Sequence, residues 1–495
     1  MLDFESTAEV EIPEDPLKRV IGQDRAVEIA KIAARQHRHL LLVGPPGTGK
    51  SMIAQALAFH LPRPSEEIRV VHNPEFPERP FVEIKRIEDV ERERREIEES
   101  QGELLDPQRV PTDVAEELGY RCPHCGEYSM PEERICPKCG KPKITGVQKY
   151  GNNPFTDLFG GVVEATMSQL IPLPKRVERT VPTNEGEKVI VYESAGEKIR
   201  MLDEKALKKR REMRRARPYK TIVPIERNPF VLATGASETE LLGDVRHDPY
   251  GSHPQLGTPP YERVIAGAIH EAHQGVLFID ELPHLGVLQR YILTAMQEKV
   301  FPIAGRNPQS AGASVKVEKV PCDFIFVGAC NIQDLPNVLS PLRSRIIGSG
   351  YEVLVNTYME DNEENRMKMA QFVAQEIALD GRIPHASREA VEEIIKEARK
   401  RAKELDGARN SLTLRLREMG GVVRSAGDIA VMEGSELIEA RHVREGIRRS
   451  RTAEEQIRER YGSYHAGVSK DISGSQKEIS PYYYWNENEL PPGYE

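Results

Sequence analysis

No apolar stretch in this sequence reaches the roughly 18 residues that a bilayer-spanning helix needs, so no membrane segment is expected. The N-terminus, MLDFESTAEVEIPEDP, is acidic and has no apolar h-region, which argues against a secretory leader. Cysteine is scarce. Six in 495 residues make no disulfide framework, and four of the six fall in two CxxC pairs, which in a reducing compartment read as metal ligands. Positive charge is not in excess: 69 Lys and Arg against 78 Asp and Glu give a formal net charge of −9. That balance supplies no global attraction to nucleic acid or anionic lipid, and leaves room only for a local basic patch. A cytoplasmic protein is expected.

At about 150 residues per domain the length allows roughly three domains. The 39% hydrophobic content supports a sizeable core, and the 30% charged content a heavily charged surface. Asp24–Gln36 reads as an amphipathic helix carrying Ala26, Ile29, Ala30 and Ala33 on one side, and HLLLV at 39–43 as a short strand. A glycine loop and a second helix from Lys50 to about Leu61 follow, the start of an α/β unit. From residue 62 to 220 the character changes. Ile84–Gln101 is a dense charge run, helical and mostly solvated. Thr180–Ile199 alternates as a β-hairpin, and Lys205–Arg217 is a basic helix. Continuous apolar strands return at GVLFID (275–280) and DFIFVGA (323–329), as in a buried parallel sheet. After Glu352 the pattern is helical, with Val391, Ile394, Ile395, Ala398 and Ala402 on one stripe. The expected divisions are 1–61 and 221–352 for an α/β core, 62–220 for an insertion, 353–458 for a helical lid and 459–495 for a tail.

GPPGTGKS at 44–51 fits G-x-x-x-x-G-K-[ST] between a strand and a helix. In such a loop Gly44, Pro45, Pro46, Gly47, Thr48, Gly49 and Met52 surround the phosphates of ATP. Lys50 reaches the β- and γ-phosphates and the Ser51 hydroxyl ligates Mg²⁺. Asp280 and Glu281 follow a buried strand: the first carboxylate suits the Mg²⁺ shell, the second an attacking water. Asn331, after the next strand, can polarise that water. Arg343 and Arg345 are candidates for an arginine finger acting on a neighbouring subunit's nucleotide. Arg415, Arg417 and Arg424 open a late helix, and spacing alone does not choose between Arg415 and Arg417 as the one that leans on the γ-phosphate.

These residues together resemble the AAA+ ATPases. VIGQDRAVEIAKIA, LLLVGPPGTGKS, TGASETELLGDVRHDPYGSHPQLGTPPYERV, HQGVLFIDEL, LTAMQEKVFPIAGR, VPCDFIFVGACN and LRSRIIGSGYEV are similar to the ATPase module of the archaeal, B-type Lon proteases, over roughly residues 10–61 and 221–458. The resemblance implies an α/β P-loop NTPase core with a C-terminal all-α lid, assembled as a hexameric ring that threads protein substrates through its pore. It assigns the roles above to Lys50, Ser51, Asp280, Glu281, Asn331, Arg345 and one of Arg415/Arg417, and places Val20 and Ile21 on the adenine. Leu241–Tyr250 and the hairpin Val300–Val320, with Phe301, become candidates for touching substrate. Two departures follow. Where the family carries a membrane-spanning insertion this chain has the 62–220 segment. Where the family continues into a Ser–Lys peptidase, residues 459–495 are too few to hold one, so proteolysis is expected only in trans.

Cys122, Cys125, Cys136 and Cys139 (CPHCG…CPKCG) are two knuckles within residues 121–142. Four thiolates at this spacing suit tetrahedral Zn²⁺ in a closed, structural zinc ribbon, with rubredoxin-like iron the alternative. His124 reads as a surface residue, and Cys322 and Cys330 as core thiols. The ribbon is a candidate docking module for a partner or substrate. A nucleic-acid grip is second choice, helped by the basic run Lys208, Lys209, Arg210, Arg211, Arg214, Arg215 and Arg217, whose simpler reading is a solvated helix face. Tyr482, Tyr483, Tyr484 and Trp485 cluster in an otherwise polar tail and read as a docking peptide, packed onto the chain's own ring or reaching a separate peptidase or adaptor. The leading function is an ATP-driven protein remodeller; a nucleic-acid motor and a non-motor switch are the alternatives.

Overall fold

In a computed structural model the described residues are 2–143, 174–183, 186–250, 256–305, 315–451 and 453–462. The centre is a five-stranded parallel sheet, and only its strands are numbered: β1 His39–Val43, β2 Phe230–Leu232, β3 Val276–Ile279, β4 Ile325–Cys330 and β5 Gly350–Leu354. They lie in the order β5-β1-β4-β3-β2. Adjacent side chains of a strand point to opposite faces, and both faces here are covered. Leu41 and Val43 enter one core cluster, Leu40 and Leu42 the other. Helices Asp24–Gln36 and Lys50–Phe59 close one face through Ala26, Ala30, Ala33, Ile53 and Leu57. Gln289–Glu298 and Ser340–Ser349 close the other through Ile292, Ala295, Leu342 and Ile346. The glycine loop, Asp280 and Asn331 therefore leave the C-terminal ends of β1, β3 and β4, three neighbouring strands, where open α/β sheets bind ligands.

The lid is a bundle of Glu363–Asp380, Arg388–Asp406, Leu416–Met432 and Ala440–Arg449 around its own core, into which Leu2, Phe4 and Ile21 also pack. Two of its helices meet at Gly446, where a Cβ would lie 2.9 Å from the Ala426 nitrogen.

The insertion holds two antiparallel sheets. Glu66–Val71 pairs with Phe81–Arg86 and Tyr219–Val223. The second sheet joins Glu103–Leu105, Arg176–Thr183, Gly186–Ala195 and Lys198–Leu202. The region expected as one hairpin over Thr180–Ile199 is thus part of a larger sheet, because the chain turns again at Gly196, in the left-handed region at φ 67°. The charge run is corrected too. Ile84–Arg86 are strand, and the helix is Ile87–Gln101. Most of that helix is solvated, as expected, and on its inner side Glu93 holds Arg69 (2.5 Å) and Lys85 (2.9 Å), and Glu99 holds Lys205 (3.3 Å) and Lys209. The basic helix, Glu204–Arg215, lies against it, with Arg210 on Glu193 at 2.9 Å.

A compact clamp ties the insertion to the core. His273, just before β3, bonds Glu66 at 2.9 Å and accepts from the Asp323 amide at 3.1 Å. Gln274 accepts from the Ser65 amide at 2.7 Å, and Arg227 donates to the His273 carbonyl at 2.6 Å. Burial holds the His273 pKa below its ordinary value, so it stays neutral in this clamp. Among the described residues no helix is long and apolar enough to cross a membrane.

Because Leu41 is fully buried in the middle strand pair, Leu41→Ala is expected to lower stability by about 2–5 kcal/mol. Denaturant unfolding checks this, and an unchanged midpoint would contradict the packing described.

Candidate functional site

The glycine loop is built around positions where a Cβ has no room. At Gly44 it would lie 2.3 Å from Val355 Cγ2 beside β5, and at Gly47 (φ 79°) 2.9 Å from Arg417 Cβ of the lid. The Gly44 amide donates to the Cys330 carbonyl of β4 at 3.1 Å, and the Leu416 amide of the lid donates to the Gly47 carbonyl at 2.9 Å. Thr48 Oγ1 closes the turn on the Pro45 carbonyl at 2.8 Å. Gly49 then caps Lys50–Phe59, whose free amides make an anion site. Lys50 is buried, with Nζ 2.8 Å from the Gly44 and Pro45 carbonyls, and burial lowers its pKa. A buried ammonium beside a glycine cradle at a helix start fits a polyphosphate.

Asp280 follows β3 with its amide fixed by Thr234 Oγ1 at 2.9 Å. Its Oδ2 lies 3.4 Å from Ser51 Oγ, and its Oδ1 accepts from the Glu281 amide at 3.0 Å. Two hard oxygens from loop and strand end suit Mg²⁺ held partly through water. Glu281 is exposed and left-handed (φ 51°, ψ 44°), a conformation that costs a non-glycine residue about 1–3 kcal/mol. His284 Nδ1 lies 3.2 Å from its carboxylate. Asn331, after β4, donates from Nδ2 to Asp334 at 3.2 Å. All of these except His284, Thr234 and Asp334 line one cleft of ≈ 380 Å³, together with Val20, Ile21, Pro46 and Met52.

Core and lid share this cleft. Val20 packs in the sheet-side cluster, while the next residue, Ile21, packs in the lid cluster. Gln23 spans them, donating to the Thr48 (3.2 Å) and Asn356 (2.8 Å) carbonyls and accepting from the Asn356 amide at 2.8 Å. Of the two candidate lid arginines, Arg417 lines the cleft. Arg415 does not: it bonds Asp406 at 3.0 Å. Arg343 is likewise committed, bidentate to Glu352 on β5 at 2.8 and 2.7 Å. Arg345, on the same helix, is exposed, lies outside the cleft and has no ion-pair partner among the described residues.

The four cysteines form the second site. Cys122 and Cys139 Sγ are 3.7 Å apart, Cys125 and Cys136 3.5 Å, and all four sulfurs lie within 4.8 Å of one another. Zn–S bonds of about 2.3 Å in a tetrahedron put sulfurs about 3.8 Å apart, so the set fits Zn²⁺. The knuckles repeat one another: Gly126 donates to the Cys122 carbonyl (2.8 Å) and Gly140 to that of Cys136 (3.0 Å). Amides of Cys139 and Lys138 bring the Cys136 thiol down to about 6, while Cys125, despite the Glu127 amide, is pushed up to about 12 by burial and the neighbouring sulfurs, so a metal must displace protons to gather all four thiolates. His124 is exposed and outside the cluster.

A lon protease homologue of Thermoplasma volcanium is 61% identical over 484 residues, 98% of this chain and 97% of its own length. One from Methanothermobacter thermautotrophicus is 59% identical over 487 residues, again 98% and 97%. The chain belongs to the Lon-like AAA+ ATPases. An archaeal Lon protease of Archaeoglobus fulgidus is 41% identical over 470 residues, which are 93% of this chain and 64% of that protein. Residues 16–73 also match the Mg_chelatase family, described as Magnesium chelatase, subunit ChlI. Among solved structures, NtrX from Brucella abortus in complex with ATP aligns over 91% of this chain and 64% of its own at 13% identity and a TM-score of 0.34. Membership in this family implies binding of ATP with Mg²⁺ and its hydrolysis.

Several residues of the Lon-like cleft escaped the sequence reading. Phe372, Glu376 and Leu416 line it from the lid, and Arg424, placed on the late helix without a role, joins them on Glu376 at 2.5 Å. The available signal was a glutamate on the otherwise apolar side of Glu363–Asp380. Two substrate-loop expectations need correction. Phe301 is only 7% exposed and packs in the sheet core, edge-on to Tyr291, because its strand turns that side inward. Leu241, Leu242 and Val245 are buried as well, the first two in helix Glu238–Leu242, so only Arg246–Tyr250 of that segment presents a surface, with Tyr250 62% exposed. Residues 306–314 of the hairpin and residues 463–495 of the tail, with its aromatic cluster, lie outside the described residues.

Gly47→Ala is expected to push Arg417 away and weaken nucleotide binding at least fivefold, read by titration with a fluorescent ATP analogue; wild-type affinity would refute the tight loop–lid contact. Thiol-reagent displacement should release about one Zn²⁺ per chain, and none from Cys136→Ser, since a closed site needs all four sulfurs.

Proposed function

We propose that this Lon-like ATPase couples ATP hydrolysis to unfolding or remodelling of protein substrates within a closed ring of identical subunits, a hexamer, and that any proteolysis is done by a separate peptidase. The observation that carries this reading is Arg345: an exposed guanidinium without an ion-pair partner among the described residues, outside the cleft that its own chain lines. Such a group has work to do only at another subunit's nucleotide.

In this reading the loop amides and Lys50 grip the β- and γ-phosphates, and Val20 and Ile21 pack on the adenine. Ser51 and Asp280 would hold Mg²⁺, which supplies charge neutralisation on the phosphates when bound. Glu281, aimed by its left-handed backbone, accepts the proton of the attacking water, and Asn331 orients that water. Arg417 leans on the γ-phosphate from the lid, and Arg345 of the adjacent subunit stabilises the charge of the transferring phosphoryl. Arg343 and Arg415 keep a structural role through Glu352 and Asp406. Four cysteines kept as free thiols at a site that suits Zn²⁺ support a cytoplasmic setting.

Arg345→Ala is expected to cut turnover about a thousandfold or more while ATP affinity stays near wild type. Glu281→Gln should bind ATP and nearly abolish hydrolysis. An unfolded protein should stimulate wild-type turnover; stimulation by single-stranded DNA alone would instead make the chain a nucleic-acid motor and overturn the proposal.

A further inference from the structure

A second cavity among the described residues is larger than the nucleotide cleft. It measures ≈ 810 Å³, within the size range of about 300–1,000 Å³ usual for ligand pockets. It lies where the end of the P-loop helix, the first turns of the acidic helix and the segment leading into β2 converge. Its walls are apolar: Leu61, Val90 and Ile225, with Pro64 and Pro229. Two large side chains on it face solvent, Phe59 at 67% and Ile87 at 42%. Phe59 packs only an edge against His60, 5.8 Å between ring centres, among the aromatic contacts of the described residues. An exposed phenylalanine at the mouth of an apolar pocket marks a place made to be covered.

The rim is cationic. Arg63 is exposed and has no ion-pair partner among the described residues. Arg227 donates only to backbone carbonyls, of Glu66, Pro224 and His273, and its buried Nε has no partner. Arg94 is matched by Glu226 at 3.0 Å and Arg227 lies in the field of Glu66 and Glu67, which leaves Arg63 as the rim's arginine without an acid of its own, beside Glu91.

The chain carries a segment of complementary chemistry. Residues 481–495, PYYYWNENELPPGYE, hold four consecutive aromatics, then Glu487, Glu489 and Glu495, with no lysine or arginine. Tyr482 follows Gly462 by twenty residues. At about 3.3–3.6 Å per residue that stretch reaches roughly 70 Å, against a radius of gyration of about 23 Å for a compact chain of this length. The reach covers the pocket of the same subunit or of its neighbour in a ring. We propose that the Tyr482–Trp485 segment docks in this pocket, aromatic rings against Phe59 and Ile87 and the following glutamates against Arg63. Docked there, the tail braces the insertion against the P-loop helix from outside.

Trp485 is the only tryptophan, so its fluorescence reports the docking directly in the full-length protein. Wild-type emission should be blue-shifted from that of a free peptide of residues 478–495, and acrylamide quenching several-fold slower. Phe59→Glu and Arg63→Glu should each move emission and quenching toward the free-peptide values, Phe59→Leu should restore them, and all three variants should bind ATP as wild type does. Peptide-like emission in the wild-type protein would overturn the proposal. So would a buried Trp485 that neither charge substitution exposes, because the tail would then be packed elsewhere. The readout needs no ATP turnover and no protein substrate, so it stands apart from the remodelling function.

Discussion

The structure turns on a short piece of backbone that has no space for side chains. Gly44 is pressed against Val355 beyond β5 and bonded to Cys330 of β4; Gly47 is pressed against Arg417 and bonded to Leu416. One loop thereby touches the ends of the central strands and the first turn of a lid helix at once. Any shift of the lid must move the Gly47 carbonyl or break its bond, and Arg417 stands against the same turn of the loop. Val20–Gln23 makes the same junction from the other side, with neighbouring residues buried in different cores. Coupling between nucleotide and lid needs no longer path than these contacts.

The insertion is joined to this machine at a second, polar junction. The clamp of Glu66, His273, Gln274 and Arg227 lies immediately before β3, the strand that ends in Asp280 and Glu281. The ion pairs of the acidic and basic helices are individually weak where exposed, worth about 0–1 kcal/mol each. Beneath the basic helix Val191, Leu202 and Ala206 are buried together, while the pairs on Glu93 and Glu99 tie the acidic helix to Arg69, Lys85 and the basic helix.

The sequence was most legible where chemistry is local. A glycine loop between strand and helix, a carboxylate pair after an apolar run and two cysteine knuckles each carry their meaning within a few residues. Arg343 and Arg345 do not. They stand two apart on one helix, and only Glu352, brought alongside by β5, separates the clamped one from the free one. Arg415 and Arg417 are divided in the same way by Asp406. The charge run at 84–101 is mostly solvated, but its ion-pair partners stayed hidden because the basic helix begins a hundred residues later. Phe301 looked exposed because a hairpin offers two sides and the pattern does not say which is covered. Glu376 and Arg424 reach the cleft from lid helices whose packing no local pattern records.

The metal site follows a different logic from the cleft. The ribbon has almost no interior of its own: two hairpin turns, four sulfurs and the aliphatic stem of Lys143, whose buried ammonium caps the Gly119 and Met130 carbonyls. Its neighbour Tyr120 is buried and bonds Ser194 and the carbonyls of Gly196 and Lys198 across the second sheet of the insertion. Tyr120 also belongs to the cluster of Val114, Leu118, Val177, Tyr192 and Ile199 that fastens ribbon to sheet. Without a cation the sulfurs gathered at 3.5–3.7 Å take up protons, since like charges so close disfavour the thiolate, and the turns that carry Tyr120 and Lys143 would loosen with the lost metal bonds. Folding energy contributed by a metal at the sulfurs is thus spread into the sheet through one tyrosine hydroxyl and one apolar cluster. That makes the ribbon a structural keystone of the insertion as well as a projecting surface.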